Sequence, residues 1–576
     1  MEPTLTTNIV GERTWSRLTD LFIFGVCLSL FYGLIVIART WLHPFTPEAE
    51  ISHNPLMLPP YAGYSLSRIG LAYVLSLAFT LVYGYIAAYN KTAERIMIPL
   101  LDVLQSIPVL SFLPGVMLAM VALFPKSQLG LELGSVLLIF TGQVWNMAFS
   151  FYSSLKSIPR ELHEAARVYR LSWWQRLMQL ELPYAAIGLV WNSMMSVAGG
   201  WFFLMACEMF VLGERDFRLP GLGSYLQMAA SAGDVRSILL GLGTMISVIV
   251  LLDQLLWRPV IAWADKFKFE QVEAANVPRS AVLNLLQRSP AVGYLGSRIV
   301  APIGERVTHY FAIHRGRPLV GGDHRWSLRT WVGRAVAGLS FGLVVYTFIE
   351  ALRMLAGLGS EEMRRTFIGA GATFLRVNAA LLIGALWAIP VGVKIGFTPR
   401  LARVAQPLAQ IAASVPATAL FPVVLLVLIR AGGSLGTGAI LLMLLGTQWY
   451  ILFNVIAGAM AIPTDMKEAA SVFRFGLLDR WRLLILPGIF PYLITGMVTA
   501  AGGAWNASIV AEYFHFKGKI LSTVGLGATI SHATDTGDFT LLLAATITMA
   551  AMVVTINRLL WRRLYHLAEV RFRLEG

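Results

Sequence analysis

Apolar and polar positions in this chain are sorted into long blocks. Charge-free stretches run at about 21–38, 69–90, 103–125, 133–155, 182–207 and 237–252, and again at about 335–349, 377–393, 404–429, 431–464, 483–511 and 539–557. A helix needs about 20 predominantly apolar residues to cross the hydrocarbon of a bilayer, and most of these blocks come near that length. Backbone groups in hydrocarbon have no water to bond, so a spanning segment is a helix or part of a closed barrel. Barrel strands would read as ~10-residue segments of alternating polarity, and these blocks do not alternate. The pattern predicts an all-α membrane protein of about 12 spans in two sets of six.

Composition agrees. Mean hydropathy is +0.66, and only 14% of the 576 residues are charged, against roughly 25% in soluble domains. The net charge of +14 could suggest nucleic acid, but membrane proteins concentrate Lys and Arg in cytoplasmic loops, and no nucleic-acid partner is expected. The first block follows Arg13 and Arg17 without a small-residue cleavage site, as an uncleaved anchor would. A cytoplasmic N-terminus places Lys91, Arg95, Lys156, Arg160, Arg167, Arg170 and Arg176 inside, while segment 40–67, without Lys or Arg, falls outside. The tail carries Arg558, Arg562, Arg563, Arg571 and Arg573, which puts the C-terminus inside too. Cys27 and Cys207 both fall in apolar blocks and read as small packing residues.

A polar island, Ile158-Pro159-Arg160-Glu161-Leu162-His163-Glu164-Ala165-Ala166, recurs 304 residues later as Ile462-Pro463-Thr464-Asp465-Met466-Lys467-Glu468-Ala469-Ala470. The same shift relates Trp145 to Trp449, Phe149 to Phe453, Glu208 to Glu512, Gly221-Leu222-Gly223 to Gly525-Leu526-Gly527, and Asp234 to Asp538. The register slips locally: Pro183-Tyr184 matches Pro491-Tyr492, or Leu182-Pro183 matches Leu486-Pro487. A parallel duplication follows. It comprises a cytoplasmic lead (1–20), a first half (21–258, island loop 156–181), a basic cytoplasmic linker (259–328), a second half (329–563, island loop 461–482) and a cytoplasmic tail (564–576). Each island starts with Pro, continues with acidic residues and carries paired Ala, which favours a short helix. Its small residues would let a partner approach closely.

Candidate pathway residues are polar or aromatic groups inside spans: Trp145, Asn146, Gln448, Trp449 and Asn506, with Glu208 and Glu512 at matched span ends. Ionisable groups in a membrane are functional candidates by default. Pro108 and Pro114, and Pro416 and Pro422, form two pairs six residues apart inside spans and are expected to break or bend them. No Arg stands in the middle of a charge-free block, so an anion would depend on helix N-termini at those breaks.

Glu164-Ala165-Ala166 followed by Leu182-Pro183, and Glu468-Ala469-Ala470 followed by Leu486-Pro487, resemble the "EAA" loop of ABC importer permeases. Pro220–Gly223 and Val524–Gly527 fit the same pattern. The resemblance covers both halves, leaves out lead and linker, and is closest to the branch importing nitrate, taurine and other sulfonates. It implies a type I importer fold in which one chain does the work of a permease dimer. Each loop would then be a coupling helix seated in a separate ATPase subunit, giving two such subunits that carry ATP and Mg, with a periplasmic solute-binding protein as a further partner. Glu164, Ala165, Ala166, Glu468, Ala469 and Ala470 would be the coupling residues. Where the family keeps glycine, this chain has Arg170 and Arg474, which implies an added charge contact to the ATPase.

The resemblance further implies a bacterial inner membrane location and a small polar or anionic cargo of the nitrate, sulfonate or taurine kind. No Gly-x-x-x-x-Gly-Lys-Ser/Thr occurs, so this chain is expected to hold no nucleotide or other cofactor, and no metal. The competing transport class is an ion- or proton-coupled secondary carrier, which would work without ATPases and use buried carboxylates. An intramembrane enzyme would need clustered His, Asp or Glu in spans, and the nine His lie mostly outside them.

Overall fold

The computed structural model describes residues 51–267, 301–313 and 351–571, apart from positions 53, 126, 213, 214, 517 and 518, with scattered positions in 282–298 and 338–350. The lead, the expected span 21–38, Cys27 and most of 335–349 and of the linker lie outside the described residues.

The first half runs α1 (Leu58–Tyr89), α2 (Lys91–Ser106), α3 (Leu113–Leu123), α4 (Leu129–Lys156), α5 (Arg160–Val168), α6 (Trp173–Glu208), α7 (Leu222–Ala232) and α8 (Val235–Ala264). A linker helix, α9 (Ala301–Ile313), packs against Trp173–Arg176. The second half repeats the order with α10 (Ser360–Phe397), α11 (Pro399–Ser414), α12 (Ala417–Arg430), α13 (Leu435–Ala461), α14 (Thr464–Val472), α15 (Leu477–Ala511), α16 (Leu526–Thr536) and α17 (Phe539–Ala568). Among the described residues, 8 helices are long and apolar enough to span a bilayer: α1, α4, α6 and α8, with α10, α13, α15 and α17. Each half adds one matched pair of antiparallel strands, Val211–Leu212 with Arg215–Asp216 and Tyr513–Phe516 with Lys519–Ser522.

Two expected spans are broken. Residues 404–429 are not one helix: the chain turns 85° between Arg400–Ala413 and Ala417–Arg430. In the first half, a short turn at Val109–Phe112 separates α2 from α3. Of the four prolines expected to break helices, Pro108 and Pro416 stand at the breaks. Pro114 lies in the first turn of α3, where no intrahelical donor is required, and Pro422 lies within α12, which continues past it.

The same local chemistry starts and stops elements in both halves. The Asp234 carboxylate accepts from the N–H of Arg236 and Ser237, and Asp538 accepts from Leu541. The helices before them end on left-handed glycines, Gly233 (φ 69) and Gly537 (φ 71). The open register is also settled. Wide turns at Leu177–Glu181 and Arg480–Ile485 run directly into Leu182-Pro183 and Leu486-Pro487, so these pairs correspond at a shift of 304. Before the loops that follow α3 and α12 the shift is 308, as for Pro108 and Pro416. The four-residue difference therefore falls where one spanning unit hands over to the next.

Packing within each half depends on small residues. A Cβ on Gly392 would come within 2.8 Å of Val455, and one on Gly396 within 2.7 Å of Ala459, so α10 and α13 cross nearly backbone to backbone. Gly84 and Ala88 hold the corresponding places on α1, where a Cβ on Gly84 would meet Phe151 at 2.7 Å. Without a hydrophobic driving force between helices in lipid, such close approach supplies the dispersion contacts that hold them. Across the halves, the Leu110 N–H donates to Asn506 Oδ1 (3.4 Å) and the Thr546 hydroxyl to the Ser111 carbonyl (3.2 Å). The break in the first half is thus seated on the second.

Candidate functional site

A cavity of about 150 Å³ lies between the halves. The first half contributes Asn146 of α4 and Met194, Ser196 and Phe203 of α6. The second contributes Gln410 of α11, Pro416 at the break, Trp449 and Tyr450 of α13 and Asn506 of α15. Among the described residues that line it, none is ionisable except Tyr450; the other polar side chains are the amides of Asn146, Gln410 and Asn506, the Ser196 hydroxyl and the Trp449 indole. The N-terminus of α12, which has no side-chain cap, borders it at Ala417. Asn146 stands about 15 Å along α4 from Lys156, taking 1.5 Å per residue.

Three of the seven expected pathway residues line this cavity: Asn146, Trp449 and Asn506. Their neighbours do not, because successive residues on a helix point about 100° apart. Trp145 turns into the protein, with its indole N–H buried and without a partner among the described residues. Gln448 is buried and accepts from Trp387 Nε1 at 3.1 Å. Ser196, Gln410 and Tyr450 were not expected from the sequence, since nothing in a polar residue's spacing tells which face meets the other half.

Glu208 and Glu512 are fully buried away from the cavity, each in a polar cluster. The Glu208 carboxylate accepts from Arg68 Nη1 (2.7 Å), the Ser65 hydroxyl (2.7 Å) and the N–H of Gly223 (2.7 Å). Glu512 accepts from Arg376 Nη1 (2.8 Å), the Thr373 hydroxyl (2.9 Å) and the N–H of Gly527 (2.9 Å). A Cβ on Gly221 or Gly525 would overlap these carboxylates, which is why the repeated Gly-Leu-Gly segments need glycine first. Each acid caps the N-terminus of α7 or α16. The arginines are not among the sequence candidates because they stand one residue before the charge-free blocks 69–90 and 377–393. The readable signal was Ser65-x-x-Arg68 recurring as Thr373-x-x-Arg376, 308 residues on.

Both polar islands fold as helices, α5 and α14, and both end identically. The N–H of Leu171 donates to the Ala166 carbonyl and that of Arg170 to Arg167; Phe475 donates to Ala470 and Arg474 to Ser471, all at 3.0 Å. This paired closure requires a left-handed residue at the stop, and Arg170 (φ 50) and Arg474 (φ 52) are among the described residues the only non-glycines with positive φ. A side chain there costs roughly 1–2 kcal/mol relative to glycine. Glu164 and Glu468 are exposed, and Ala469 is exposed with Ala165 half-buried. Ala166 and Ala470 face inward and are buried, so they seat the helix on its own chain and do not offer a surface. The sequence did not reveal the apolar tips: Val168, Tyr169, Val472 and Phe473 are 75–79% exposed.

The family model for binding-protein-dependent transport system inner membrane components matches residues 80–256 and again 380–571. Together these cover well over half the chain, which belongs to that family and carries its domain twice: it is a fused ABC importer permease. Among its relatives, the nitrate import permease protein NrtB of Leptolyngbya laminosa is 27% identical over 201 residues, 35% of this chain and 68% of that protein. The bicarbonate transport system permease protein CmpB of Synechococcus elongatus is 27% identical over 216 residues, covering 38% and 72%. The taurine transport system permease protein TauC of Escherichia coli K12 is 25% identical over 248 residues, covering 40% and 84%. The paired coverages make each relative about half this chain's length, as a single-domain permease should be.

Proposed function

We propose that this chain forms the whole membrane passage of an ATP-driven importer for a small anion, with the cavity between its halves opening alternately to either side. The relatives' names, for nitrate, bicarbonate and taurine carriers, support an anionic cargo. So does a cavity of amides and hydroxyls beside an uncapped helix N-terminus: N–H donors and the helix dipole favour an anion without holding it as tightly as a fixed cation would. Asn146, Asn506 and Tyr450 would donate to the cargo, and Trp449 would shape the passage.

In this reading α5 and α14 are the coupling helices. Each would insert its tip, Val168-Tyr169 or Val472-Phe473, into one of two ATPase subunits, with Glu164, Glu468, Arg170 and Arg474 on the rim. ATP and Mg would be bound by those subunits, and a solute-binding protein would dock on the opposite face, with both termini of this chain cytoplasmic. The observation that carries the reading is that both islands end in the same helix, the same closure and the same bare apolar tip. A proton-coupled carrier is less well supported, because each buried carboxylate among the described residues (Glu132, Glu181, Glu208, Glu512) has an arginine partner.

The test is uptake of labelled nitrate, bicarbonate or taurine into proteoliposomes holding the chain with co-expressed ATP-binding cassette subunits. Uptake should need ATP and should vanish in the Val168→Asp, Val472→Asp double variant while the chain keeps its thermal stability. Uptake by the chain alone under a proton gradient, or unimpaired uptake by the double variant, would overturn the proposal.

A further inference from the structure

The two buried arginines are treated differently on one edge. Arg68 presents Nε and Nη2 to the Glu132 carboxylate at 2.6 and 2.7 Å, a two-point fork, and uses Nη1 for Glu208 and the Pro220 carbonyl. Arg376 uses Nη1 in the same way, for Glu512 and the Val524 carbonyl. Its Nη2 meets only the Thr523 hydroxyl (3.0 Å), and among the described residues nothing accepts from its Nε. The residue standing 304 after Glu132 is Gly436. That correspondence is secured by Gly134 with Gly438 and Gly142 with Gly446 on the same helices.

The place of the missing side chain is lined by polar groups. A Cβ built on Gly436 would have Thr523 Oγ1 at 3.6 Å, Ser434 Oγ at 3.7 Å and Arg376 Nε at 3.8 Å, and nothing nearer. Gly436 lies in the first turn of α13, a 27-residue helix whose N-terminal N–H groups favour negative charge. Arg376 is 15% exposed where Arg68 is 1% exposed, so solutes can reach this edge. Arg376 is 21 residues from Phe397, about 32 Å along α10, and the Phe397 ring packs under Lys467 of α14. The niche is therefore at the end of the molecule opposite the island helices.

We infer that this niche binds a free, planar, monovalent oxyanion of the carboxylate, nitrate or bicarbonate type. Such an anion would take the Nε and Nη2 donors that Glu132 takes in the first half, with the Thr523 and Ser434 hydroxyls beside it. A guanidinium fork matches two coplanar oxygens. The first half already shows that this arginine edge, in this fold, holds a carboxylate. The inference deepens the proposed import of anions by adding a binding point on the face away from the ATPases, but its test is binding and does not depend on transport.

Thermal unfolding of the purified full chain in detergent would be followed while chloride is replaced by nitrate, acetate or bicarbonate at fixed ionic strength. Saturable stabilisation by these planar anions is expected. Gly436→Glu, which supplies the carboxylate internally, should raise the midpoint in chloride and remove the niche's share of the anion response, leaving only what the central cavity contributes. Thr523→Val should weaken the response without removing it. No stabilisation by any planar anion, or a response unchanged in Gly436→Glu, would overturn the inference. Transport by the complex separates it from the proposed function: loss of anion binding with uptake retained would leave the import reading intact.

Discussion

The two halves build one ion cluster in two versions. In the first, Arg68 stands between two carboxylates and the cluster is sealed. In the second, Gly436 replaces one carboxylate and Arg376 is left with an open edge. What both versions keep is the acid that caps α7 or α16, the hydroxyl beside it and the glycine that makes room. What they do not keep is the second acid. The common part therefore anchors the short helix between the last two long crossings of each half, and the variable part decides whether the cluster is closed or can accept an anion.

Removing the arginines should separate the halves most. Arg68→Ala strands two buried carboxylates and should cost about 3–5 kcal/mol, the range for breaking a buried ion pair. Arg376→Ala leaves Glu512 with Thr373 and the N–H of Gly527, so the loss should be about 2 kcal/mol, near the value of one charged hydrogen bond. Denaturation in detergent measures both, and equal losses would contradict the sealed-versus-open distinction. Next in size, Gly221→Ala and Gly525→Ala should each cost about 1–3 kcal/mol through overpacking, by similar amounts, because here the halves agree. A marked difference would show that one carboxylate can move aside.

Smaller effects concern the island helices. Arg170→Gly and Arg474→Gly should each stabilise the chain by about 1 kcal/mol by relieving the left-handed stop. If ATP-driven uptake falls although stability rises, the arginines act on the ATPase; if uptake is unchanged, their charge is idle. The smallest effect is at the end of the first half that carries the island helix. The Tyr152 hydroxyl (2.5 Å) and the Lys156 ammonium (2.9 Å) hold the Glu94 carboxyl below its ordinary value. A depressed carboxyl contributes stability above its unfolded pKa, near 4.5, and that contribution fades as pH falls through the folded value. Glu94→Gln should remove this acid-side dependence. No counterpart is expected in the second half, where Ala402, Ile456 and Met460 stand at the matching places.

Much of this was legible from residue order. Long charge-free blocks located α4, α6, α13 and α15 because hydrocarbon admits little else. The repeated islands announced two equivalent helices, and Pro108 and Pro416 marked where spans bend. Less legible were features that depend on which way a side chain turns. Glu208 and Glu512 read as pathway residues and are buried caps. Ala166 and Ala470 read as a surface and face inward. Trp145 and Gln448 read as lining and point away from the cavity, while Tyr450 and Gln410 line it unannounced.

Sequence alone determined that this is a doubled, helical membrane protein with two matched loops, because hydrophobic length and repetition are properties of residue order. Tertiary structure decided where the charges go. An arginine one residue outside an apolar block finds an acid 140 or 136 residues away, and only the folded chain shows whether a second acid arrives as well. Desolvating a guanidinium is tolerable only when its donors are matched. How well they are matched is set by positions on other helices, and in this chain that differs between the halves at Glu132 and Gly436.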